Sequence, residues 1–368
     1  MECKYGMNGT IADYGEQEIL KLLQGFCPPD LIGDDGAVLG LESLAMGSQL
    51  VVTTDVLVDR VHFSEATTPA VAVGWRAVAA NLSDLAAMGA DPLGITVGLA
   101  LPPTCPVGWV LDLYQGMLRC FDRCIPDPGT FRGIVGGDLC RSAVPTIAIT
   151  AFGLASPRYI LQRQGLQVGD QLVVTGCHGA SRAGLAVLMG EIPREISREI
   201  VSEIPAEIWI ETSREIPYQD WIQAHQYPNA RLEVLPVLRS IQDSLQPQRS
   251  LGGMDSSDGL ADAVLQLCRA SGLGACLDWH HLPLPPGLAD CVGETKAVDW
   301  CLYGGEDFEL VLGLPPDQVA AFLEKVPGAS WIGEVIEEPT VTLQDSSDSP
   351  WTERSKSLHL EAGFQHFC

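Results

Sequence analysis

The chain has 368 residues, of which 46% are hydrophobic and 19% charged, a composition typical of a globular protein with enough apolar material for two domains. Its 47 acidic and 22 basic side chains give a formal net charge of −25, which argues against nucleic acid or an anionic membrane as a partner. The same charge would repel a phosphorylated substrate, so an anionic ligand would need bound cations at its site.

The twelve cysteines form no Cys-x-x-Cys pair, no secretory signal opens the sequence, and no apolar run reaches about 18 residues. These features predict reduced thiols, a cytoplasmic location and no membrane span. The seven histidines do not form a zinc-binding pattern.

The first half of the chain mixes helices and strands. In chain order its predicted elements are a helix at 15–25, strands at 31–40 and 50–59, a helix at 69–88, a strand at 93–102, a helix at 107–124, and strands at 131–140 and 145–155. The helix at 69–88 is the clearest of these, because its body is rich in alanine, Pro69 suits its start and Gly89 suits its end.

The second half resumes the same pattern after a boundary near residue 155. It contains a strand at 168–176, a glycine turn and helix at 179–190, and a turn-to-helix unit at 252–272. The two halves predict an α/β (α+β mixed) protein with domains at 1–155 and 156–368. A Glu-Ile repeat, interrupted by prolines, predicts a poorly ordered, low-complexity surface insertion at about 190–225.

Six short motifs place glycine, serine or threonine beside acidic residues, mostly at strand ends or helix starts. They are Gly33-Asp34-Asp35, Thr53-Thr54-Asp55, Asn81-Leu82-Ser83-Asp84, Gly136-Gly137-Asp138, Asp255-Ser256-Ser257-Asp258-Gly259 and Gly304-Gly305-Glu306-Asp307. Magnesium prefers oxygen ligands and is usually held by one or two carboxylates plus substrate phosphates. Glycine lets backbone N–H groups approach a phosphate closely. Together the motifs predict a magnesium and phosphate site built from both halves.

Taken singly, each acid also fits a turn residue or a helix N-cap, and Asp258 could cap the helix that follows it. Asn81 and Asp84 are more informative, because they share one face of an otherwise apolar helix and need a partner there, for which a metal ion is a candidate. The helix starts in GASRAGLAVL and SSDGLADAVL are expected to suit anions. The sequence contains no P-loop, Rossmann fingerprint or protein-kinase motif set, so ATP would need a binding site of a different type.

The order of these motifs resembles the thiamine-monophosphate kinase family, which belongs to the ATP-binding superfamily that includes aminoimidazole ribonucleotide synthetase. The matching segments are GEQEIL, IGDDGAVL, TTDVLVDRVHF, AVAANLSDLAAMGADP, LALP, GGDLCRS, GDQLVVTG, GASRAGLAVL, DSSDGLADAV, YGGEDFELVL and GFQHF. The resemblance implies a two-domain fold of the same superfamily, with an N-terminal domain, made of a mixed sheet with helices, that pairs in a homodimer and a C-terminal α/β domain. It also implies the use of Mg²⁺ and ATP to phosphorylate thiamine monophosphate to thiamine diphosphate.

The resemblance further implies roles for residues at matching positions. The implied metal ligands are Asp35, Thr53, Thr54, Asp55, Asp84, Asp138, Asp255 and Asp258, of which Asp84, Asp138 and Asp258 are also the implied catalytic residues. The implied ATP contacts are Tyr114, Gly137, Arg163 and Ser257. The implied substrate contacts are His62, Glu306 and Phe364, and Phe364 is expected to stack on the thiamine rings.

The implied reaction needs no general base, because the accepting phosphate oxygen is already ionised at pH 7, and metals would offset the repulsion between the two anions. Three alternatives are considered: a hydrogenase-maturation enzyme, for which the terminal Cys368 would be relevant, a selenophosphate synthetase, and a non-catalytic nucleotide-binding relative. The chain departs from the family pattern at Pro228-Asn229-Ala230-Arg231, which stands where the family has a Pro-x-Pro-Arg-like motif, and its role stays open.

Overall fold

The computed structural model describes residues 37–40, 47–125, 129, 131–192, 216–245, 249–344, 356–360 and 363. Four expectations lie wholly or largely outside these ranges: the helix at 15–25, the Gly33-Asp34-Asp35 motif, the body of the Glu-Ile insertion at 193–215, and Phe364.

The first half forms a five-stranded sheet with the order β1-β2-β5-β3-β4. Its strands are β1 (Ala37–Gly40), β2 (Gln49–Val58), β3 (Asp91–Leu101), β4 (Ile134–Arg141) and β5 (Thr146–Ala155). Every neighbouring pair is antiparallel except β3 and β4, which run parallel. Helices α1 (Ala70–Ala87) and α2 (Val107–Cys124) come from the same half of the chain, and α1 packs on β2 and β5.

The second half forms a seven-stranded sheet with the order β12-β11-β8-β10-β6-β9-β7. Its strands are β6 (Gln171–Val174), β7 (Gly252–Asp255), β8 (Gly274–Asp278), β9 (Leu310–Leu314), β10 (Ser330–Ile336), β11 (Val341–Gln344) and β12 (Lys356–Ser357). Its helices are α3 (Ala180–Leu188), α4 (Tyr218–Gln226), α5 (Leu235–Ser244), α6 (Leu260–Ser271), α7 (Leu288–Val292), α8 (Glu294–Tyr303) and α9 (Pro316–Lys325). The mixed α/β fold class predicted from the sequence is confirmed.

Helix α1 occupies the position that decides where a site can form. It contacts β2 and β5 of the first sheet and also β7 of the second, so it lies between the two halves. Most of its residues are buried, which agrees with its alanine-rich sequence, and it ends before Gly89, whose φ of +71° suits a helix C-terminus. A Cβ on Gly74 would lie 1.8 Å from the carbonyl oxygen of Leu113 in α2, so glycine permits the close crossing of these helices.

The two halves share apolar contacts as well. One cluster of buried side chains joins Val51 and Ile149 of the first sheet to Leu310 and Phe322 of the second half. Strand β5 ends at Ala155 and the next strand, β6, belongs to the second sheet, while the division into domains at 1–155 and 156–368 stays a prediction. Within the described parts of the chain, no helix combines the length and apolar character that crossing a bilayer requires.

Candidate active site

A cleft of about 670 Å³ lies between parts of the two halves. From the first half it is lined by Asp55 in β2 and by His62 in the turn that follows β2. From the second half it is lined by Ser257 and Asp258, which follow β7, and by Glu306, which follows α8. Five residues that the sequence predicts at a site are therefore brought to one cavity.

Strand β2 presents Thr53 and Asp55 on the face that is covered by helix α1. The Oγ1 of Thr53 donates a hydrogen bond to Oδ2 of Asp84 in α1. Thr54 points to the opposite face of the sheet, as the alternation of side chains along a strand requires. Its hydroxyl donates to the carbonyl oxygen of Ile149 at 2.8 Å and lies 2.7 Å from the hydroxyl of Thr150. The structure thus joins Thr53 to Asp84 but separates Thr54 from both.

A second hydroxyl–carboxylate pair links α1 to the other sheet. Ser83 Oγ donates to Oδ2 of Asp255, the last residue of β7, at 2.7 Å, and Ser257 Oγ donates to Oδ1 of the same carboxylate at 3.1 Å. Ser83 and Asp255 are both buried. Because Ser83 and Asp84 are adjacent in α1, the Thr53–Asp84 pair and the Ser83–Asp255 pair lie beside each other, one from each sheet.

The loop that carries Glu306 touches the acidic loop after β7 through its backbone. The N–H of Glu306 donates to the carbonyl oxygen of Ser257 at 2.6 Å. Glu306 has a φ of +58° and Phe308 has a φ of +53°, conformations that side chains other than glycine adopt rarely. Such strained backbone clusters at functional sites, where the surrounding structure holds it in place.

Asp258 does not take the N-cap position that the simplest interpretation gave it. The N-cap of α6 is Gly259, with a φ of +110°, and Asp258 precedes it as an exposed residue of the cleft wall. The first turn of α6 instead contains Asp262.

His62 is oriented by the backbone of its own turn. The N–H of Val58 donates to Nδ1 of His62 at 3.0 Å. A ring nitrogen that accepts a hydrogen bond carries no proton, so the neutral imidazole has its proton on Nε2. His62 therefore presents a donor nitrogen while its ring is fixed by β2.

The start of helix α3, which the sequence predicted to suit a ligand anion, is already occupied by a carboxylate of the chain. The N–H groups of Gly179 and Ser181 donate to Oδ2 and Oδ1 of Asp307 at 2.7 Å and 2.9 Å. Burial raises the pKa of Asp307 to about 7, against the opposing effect of these two hydrogen bonds. The expectation of a ligand anion here is wrong, because the carboxyl group of Asp307, 126 residues from Ser181 along the sequence, already accepts from the N–H groups at the helix start.

Four other predicted residues that the structure describes do not line this cleft. Gly137 and Asp138 are exposed on β4, which is three strand positions from β2 and hence about 14 Å across the sheet. Tyr114 is partly buried in α2 against the apolar core. Arg163 begins a 3₁₀ helix beside Gly252, the first residue of β7, whereas Asp255 is the last. Asp35 and Phe364 are outside the described residues.

Sequence reasoning missed two arginines of the cleft, Arg76 and Arg182. The guanidinium of Arg182 lies over the ring of Trp300, 4.5 Å from its centroid. Arg76 had a usable signal, because a single cation in an alanine-rich helix, seven residues before Ser83, shares a helical face with it. The residues that pair with Arg76 lie up to 230 positions away, so their identity could not be read from the sequence.

The donor set fits a hard cation such as Mg²⁺ in its chemistry. Carboxylates and hydroxyls dominate around Asp84 and Asp255, and these are the ligand types that Mg²⁺ prefers. One turn before Asp84, the buried Oδ1 of Asn81 has no hydrogen-bond partner within the described structure, while its Nδ2 donates to the carbonyl oxygen of Ala77. In the parts of the chain that the structure describes, no three His, Cys, Asp or Glu side chains form a metal-holding group by themselves.

Comparison with known proteins decides the family. The thiamine-monophosphate kinase of Synechococcus elongatus is 46% identical to this chain over 361 residues, which cover 97% of this chain and 98% of that protein. The chain belongs to the thiamine-monophosphate kinase family. The family member from Prochlorococcus marinus is 36% identical over 96% of both chains, and residues 33–155 match the model for the N-terminal domain of AIR synthase related proteins.

Solved structures agree with this membership in the thiamine-monophosphate kinase family. A structure of AaThiL complexed with AMPPCP and TMP superposes with a TM-score of 0.73 at 26% identity, covering 94% of this chain and 99% of that one. The thiamine monophosphate kinase of Aquifex aeolicus gives 0.72 over 93% and 100%. The hydrogenase maturation protein HypE of E. coli, at 22% identity and a TM-score of 0.61, shares the fold alone.

Proposed function

We propose that the cleft between the two sheets binds ATP, Mg²⁺ and thiamine monophosphate and produces thiamine diphosphate and ADP. Thiamine-monophosphate kinase activity is the activity of the family to which the chain belongs. The observation that carries the location is the lining of the cleft, which combines Asp55 and His62 from one half with Ser257, Asp258 and Glu306 from the other. A relative with this fold is known in complex with AMPPCP and TMP, which supports the same two ligands here.

The proposed step is a direct phosphoryl transfer. An oxygen of the thiamine monophosphate phosphate forms a bond to the γ-phosphorus of ATP, while the bond from that phosphorus to the bridging oxygen of ADP breaks and ADP leaves with the electron pair. The attacking oxygen is already ionised near neutral pH, so no side chain has to remove a proton. The chain therefore has two tasks, which are to hold the phosphates in line and to hold the cations that offset their repulsion.

The residues proposed to hold Mg²⁺ are the carboxylates of Asp55, Asp84, Asp255 and Asp258, together with Thr53. When bound, Mg²⁺ would neutralise the charge that accumulates between the two phosphates. The Thr53 and Ser83 hydroxyls keep Asp84 and Asp255 oriented by hydrogen bonds, so that each carboxylate retains acceptor capacity for a cation. Asp35 is a further proposed member. Thr54 and Asp138, predicted in the same set, are not included here, because the Thr54 hydroxyl forms its hydrogen bonds on the opposite face of the sheet and Asp138 lies on β4, away from the cleft.

The proposed substrate contacts are His62, Glu306 and Phe364. His62 would donate from Nε2, since its Nδ1 accepts from Val58. The cleft also contains Trp300 and Tyr303, whose rings offer an apolar surface for the heterocycles of the substrate. Of the ATP contacts that the family resemblance implies, Ser257 lines the cleft and is proposed here, whereas Tyr114, Gly137 and Arg163 do not line it.

We also propose that the chain acts as a homodimer in which the N-terminal domains pair, and that it is cytoplasmic. Strand β4 supports the first proposal, because it is the edge of its sheet and exposes apolar side chains at Val135 and Leu139. An exposed apolar edge strand is a surface that proteins normally cover. A dimer would bring β4, with Gly137 and Asp138, next to another copy. The cytoplasmic location rests on the cysteine spacing in the sequence.

The function is tested by incubating the protein with ATP, Mg²⁺ and thiamine monophosphate and quantifying thiamine diphosphate and ADP by chromatography. We expect equal amounts of both products, no product when a chelator removes the metal, and no diphosphate when thiamine, which lacks the accepting phosphate, replaces the monophosphate. Absence of thiamine diphosphate under excess Mg²⁺, or ADP formation that does not depend on thiamine monophosphate, would contradict the proposal.

A further inference from the structure

Arg76 is a buried cation inside the cleft. It lies in helix α1, 2% of its surface is exposed, and its side chain forms part of the cleft wall. Burying a guanidinium costs free energy unless charged and polar partners form hydrogen bonds with it. The partners of Arg76 therefore show which segments of the chain it holds in place.

The guanidinium of Arg76 joins three separate segments of the chain. Its Nη2 donates to Oε1 of Glu306 in an ion pair and to the carbonyl oxygen of His62 at 3.3 Å. Its Nη1 donates to the carbonyl oxygen of His225 in helix α4. The two cleft residues proposed as substrate contacts, His62 and Glu306, are thus held by one side chain. Arginine can do this because its planar head carries five N–H donors.

Glu306 depends on this partner more than an ordinary surface carboxylate would. Its backbone is in the left-handed region, with a φ of +58°, and its N–H is fixed to the carbonyl oxygen of Ser257. The backbone of Glu306 is held by Ser257 in the loop after β7, and its Oε1 is held by Arg76 of helix α1. The carboxylate therefore has little rotational freedom. Oε2 remains as the oxygen that can face a donor on a ligand.

Among the described residues that line the cleft, no other cation replaces Arg76. His225 lies with Nδ1 3.8 Å from Oε2 of Glu306, but burial lowers its pKa to about 3, so it is neutral at neutral pH. Arg182, the other arginine of the cleft, pairs with Glu191 at 2.6 Å and stacks on Trp300.

We propose that Arg76 is a positioning residue for thiamine monophosphate, which sets the carboxylate of Glu306 and the turn of His62 in the geometry that binds this substrate. The proposal rests on the proposed function, since it takes Glu306 and His62 as substrate contacts. It assigns to Arg76 an effect on the thiamine monophosphate side of the reaction and not on the ATP side.

The test compares Arg76→Met, Arg76→Lys, Glu306→Gln and the double variant Arg76→Met/Glu306→Gln by steady-state kinetics with each substrate varied. We expect Arg76→Met to raise KM for thiamine monophosphate by about tenfold or more while KM for ATP changes less than about twofold. Arg76→Lys keeps the positive charge but loses the planar set of N–H donors that contacts several segments at once, so its increase in KM for thiamine monophosphate should be intermediate. The double variant should be less impaired than the product of the two single effects, because Arg76 acts in part through Glu306 and in part through the turn of His62.

Arg158→Met is the matched control, because Arg158 forms an exposed ion pair with Asp243 and neither residue lines the cleft, so both KM values should stay unchanged. Effects of Arg76→Met and Glu306→Gln that multiply in the double variant, or equal increases in both KM values, would overturn the proposal and leave Arg76 a structural residue. Should Arg76→Met not fold, Arg76→Lys and its combination with Glu306→Gln give the same comparison.

Calorimetric measurement of thiamine monophosphate binding separates the proposed function from the proposed role of Arg76. A wild type that binds the ligand without turnover would contradict the proposed function alone, and one that does neither would contradict both.

Discussion

Ser83 donates a hydrogen bond across 2.7 Å to Asp255, and this contact connects a helix packed on the first sheet to the last residue of a strand in the second. Both residues are buried, and Asp84, the neighbour of Ser83, accepts from Thr53 of the first sheet. The two proposed metal-binding carboxylates, Asp84 and Asp255, are therefore fixed relative to each other by consecutive residues of one helix.

Replacing Ser83 with alanine should remove a donor from a buried carboxylate. We expect Ser83→Ala to lower the free energy of unfolding by about 1–3 kcal/mol, because the buried carboxyl group of Asp255 loses one hydrogen-bond donor. Urea unfolding followed by circular dichroism measures this. Ser156→Ala, at an exposed serine, is the control and should change stability by less than about 0.5 kcal/mol. Equal stability of the two variants would contradict the role given to Ser83.

The Pro228-Asn229-Ala230-Arg231 segment, whose role the sequence left open, supplies Arg231 to an ion pair with the buried carboxylate of Glu309. Arg231 binds Glu309 with Nε on Oε2 and Nη2 on Oε1, and Thr175 donates to the same carboxylate at 2.5 Å. Glu309 is 6% exposed, and Ser256 of the acidic loop donates its backbone N–H to the carbonyl oxygen of Glu309. Arg231 thus holds Glu309, the residue before strand β9, next to the acidic loop that follows β7.

Arg231→Met should leave Glu309 as a buried charge without its cation. We expect a loss of about 3–5 kcal/mol in the free energy of unfolding. Arg158→Met removes an ion pair whose side chains are 42% and 48% exposed, so it should cost no more than about 1 kcal/mol. Chemical denaturation measures the free energy of unfolding of both variants. A loss for Arg231→Met as small as that for Arg158→Met would contradict the stabilising role given to Arg231.

Acid should destabilise the fold through His225. Burial, aided by the positive charges of Arg76 and Arg182, lowers the pKa of His225 from 6.5 to about 3. Between these values the unfolded chain binds a proton that the folded protein does not, so the stabilising contribution is present above pH 6.5 and is lost as the pH falls toward 3.

The pH dependence can be isolated with His225→Gln, which removes the titrating group. We expect the wild type to lose more stability than the variant between pH 7.5 and pH 5, by up to about 2 kcal/mol. The readout is the slope of the unfolding free energy against pH, which does not depend on any constant loss that the substitution causes. Parallel slopes for the two proteins would show that His225 is not the responsible group.

Asp84→Asn should separate the metal role of Asp84 from its structural role. The amide oxygen can still accept from Thr53, so the fold should persist, while the lost charge weakens cation binding. We expect turnover to fall on the order of 100-fold and the Mg²⁺ concentration for half-maximal rate to rise. Asp112→Asn, at an exposed position of α2, is the matched control. Near-wild-type turnover and Mg²⁺ dependence for Asp84→Asn would contradict its metal role.

Helices and strands were predicted well where their signal lies in neighbouring residues of the sequence. Strand β2 and helices α1 and α2 agree with their predicted ranges to within one residue, because β-branched alternation, alanine content and terminal glycine act over neighbouring positions. The acidic loops that line the cleft, Asp55, Asp258 and Glu306 among them, were also identified from their residue types.

What the sequence did not reveal depends on pairs that are distant along the chain. The Asp307 carboxylate fills the start of α3 across 126 residues, and Arg76 reaches Glu306 across 230. A helix start that looks open to a ligand cannot be told from one that an internal acid closes until the tertiary fold is known. The separation of Thr54 from Thr53 follows from strand alternation and was available from the sequence, although the motif grouped the two together.

The most direct test of the central claim follows the γ-phosphoryl group itself. The protein is mixed with ATP labelled in its γ-phosphate, Mg²⁺ and thiamine monophosphate, and the reaction is quenched within a single turnover. We expect the label to appear in thiamine diphosphate, with one ADP per product and no covalently labelled protein at any time. Label that appears first on the protein, or as inorganic phosphate with thiamine monophosphate unchanged, would contradict it.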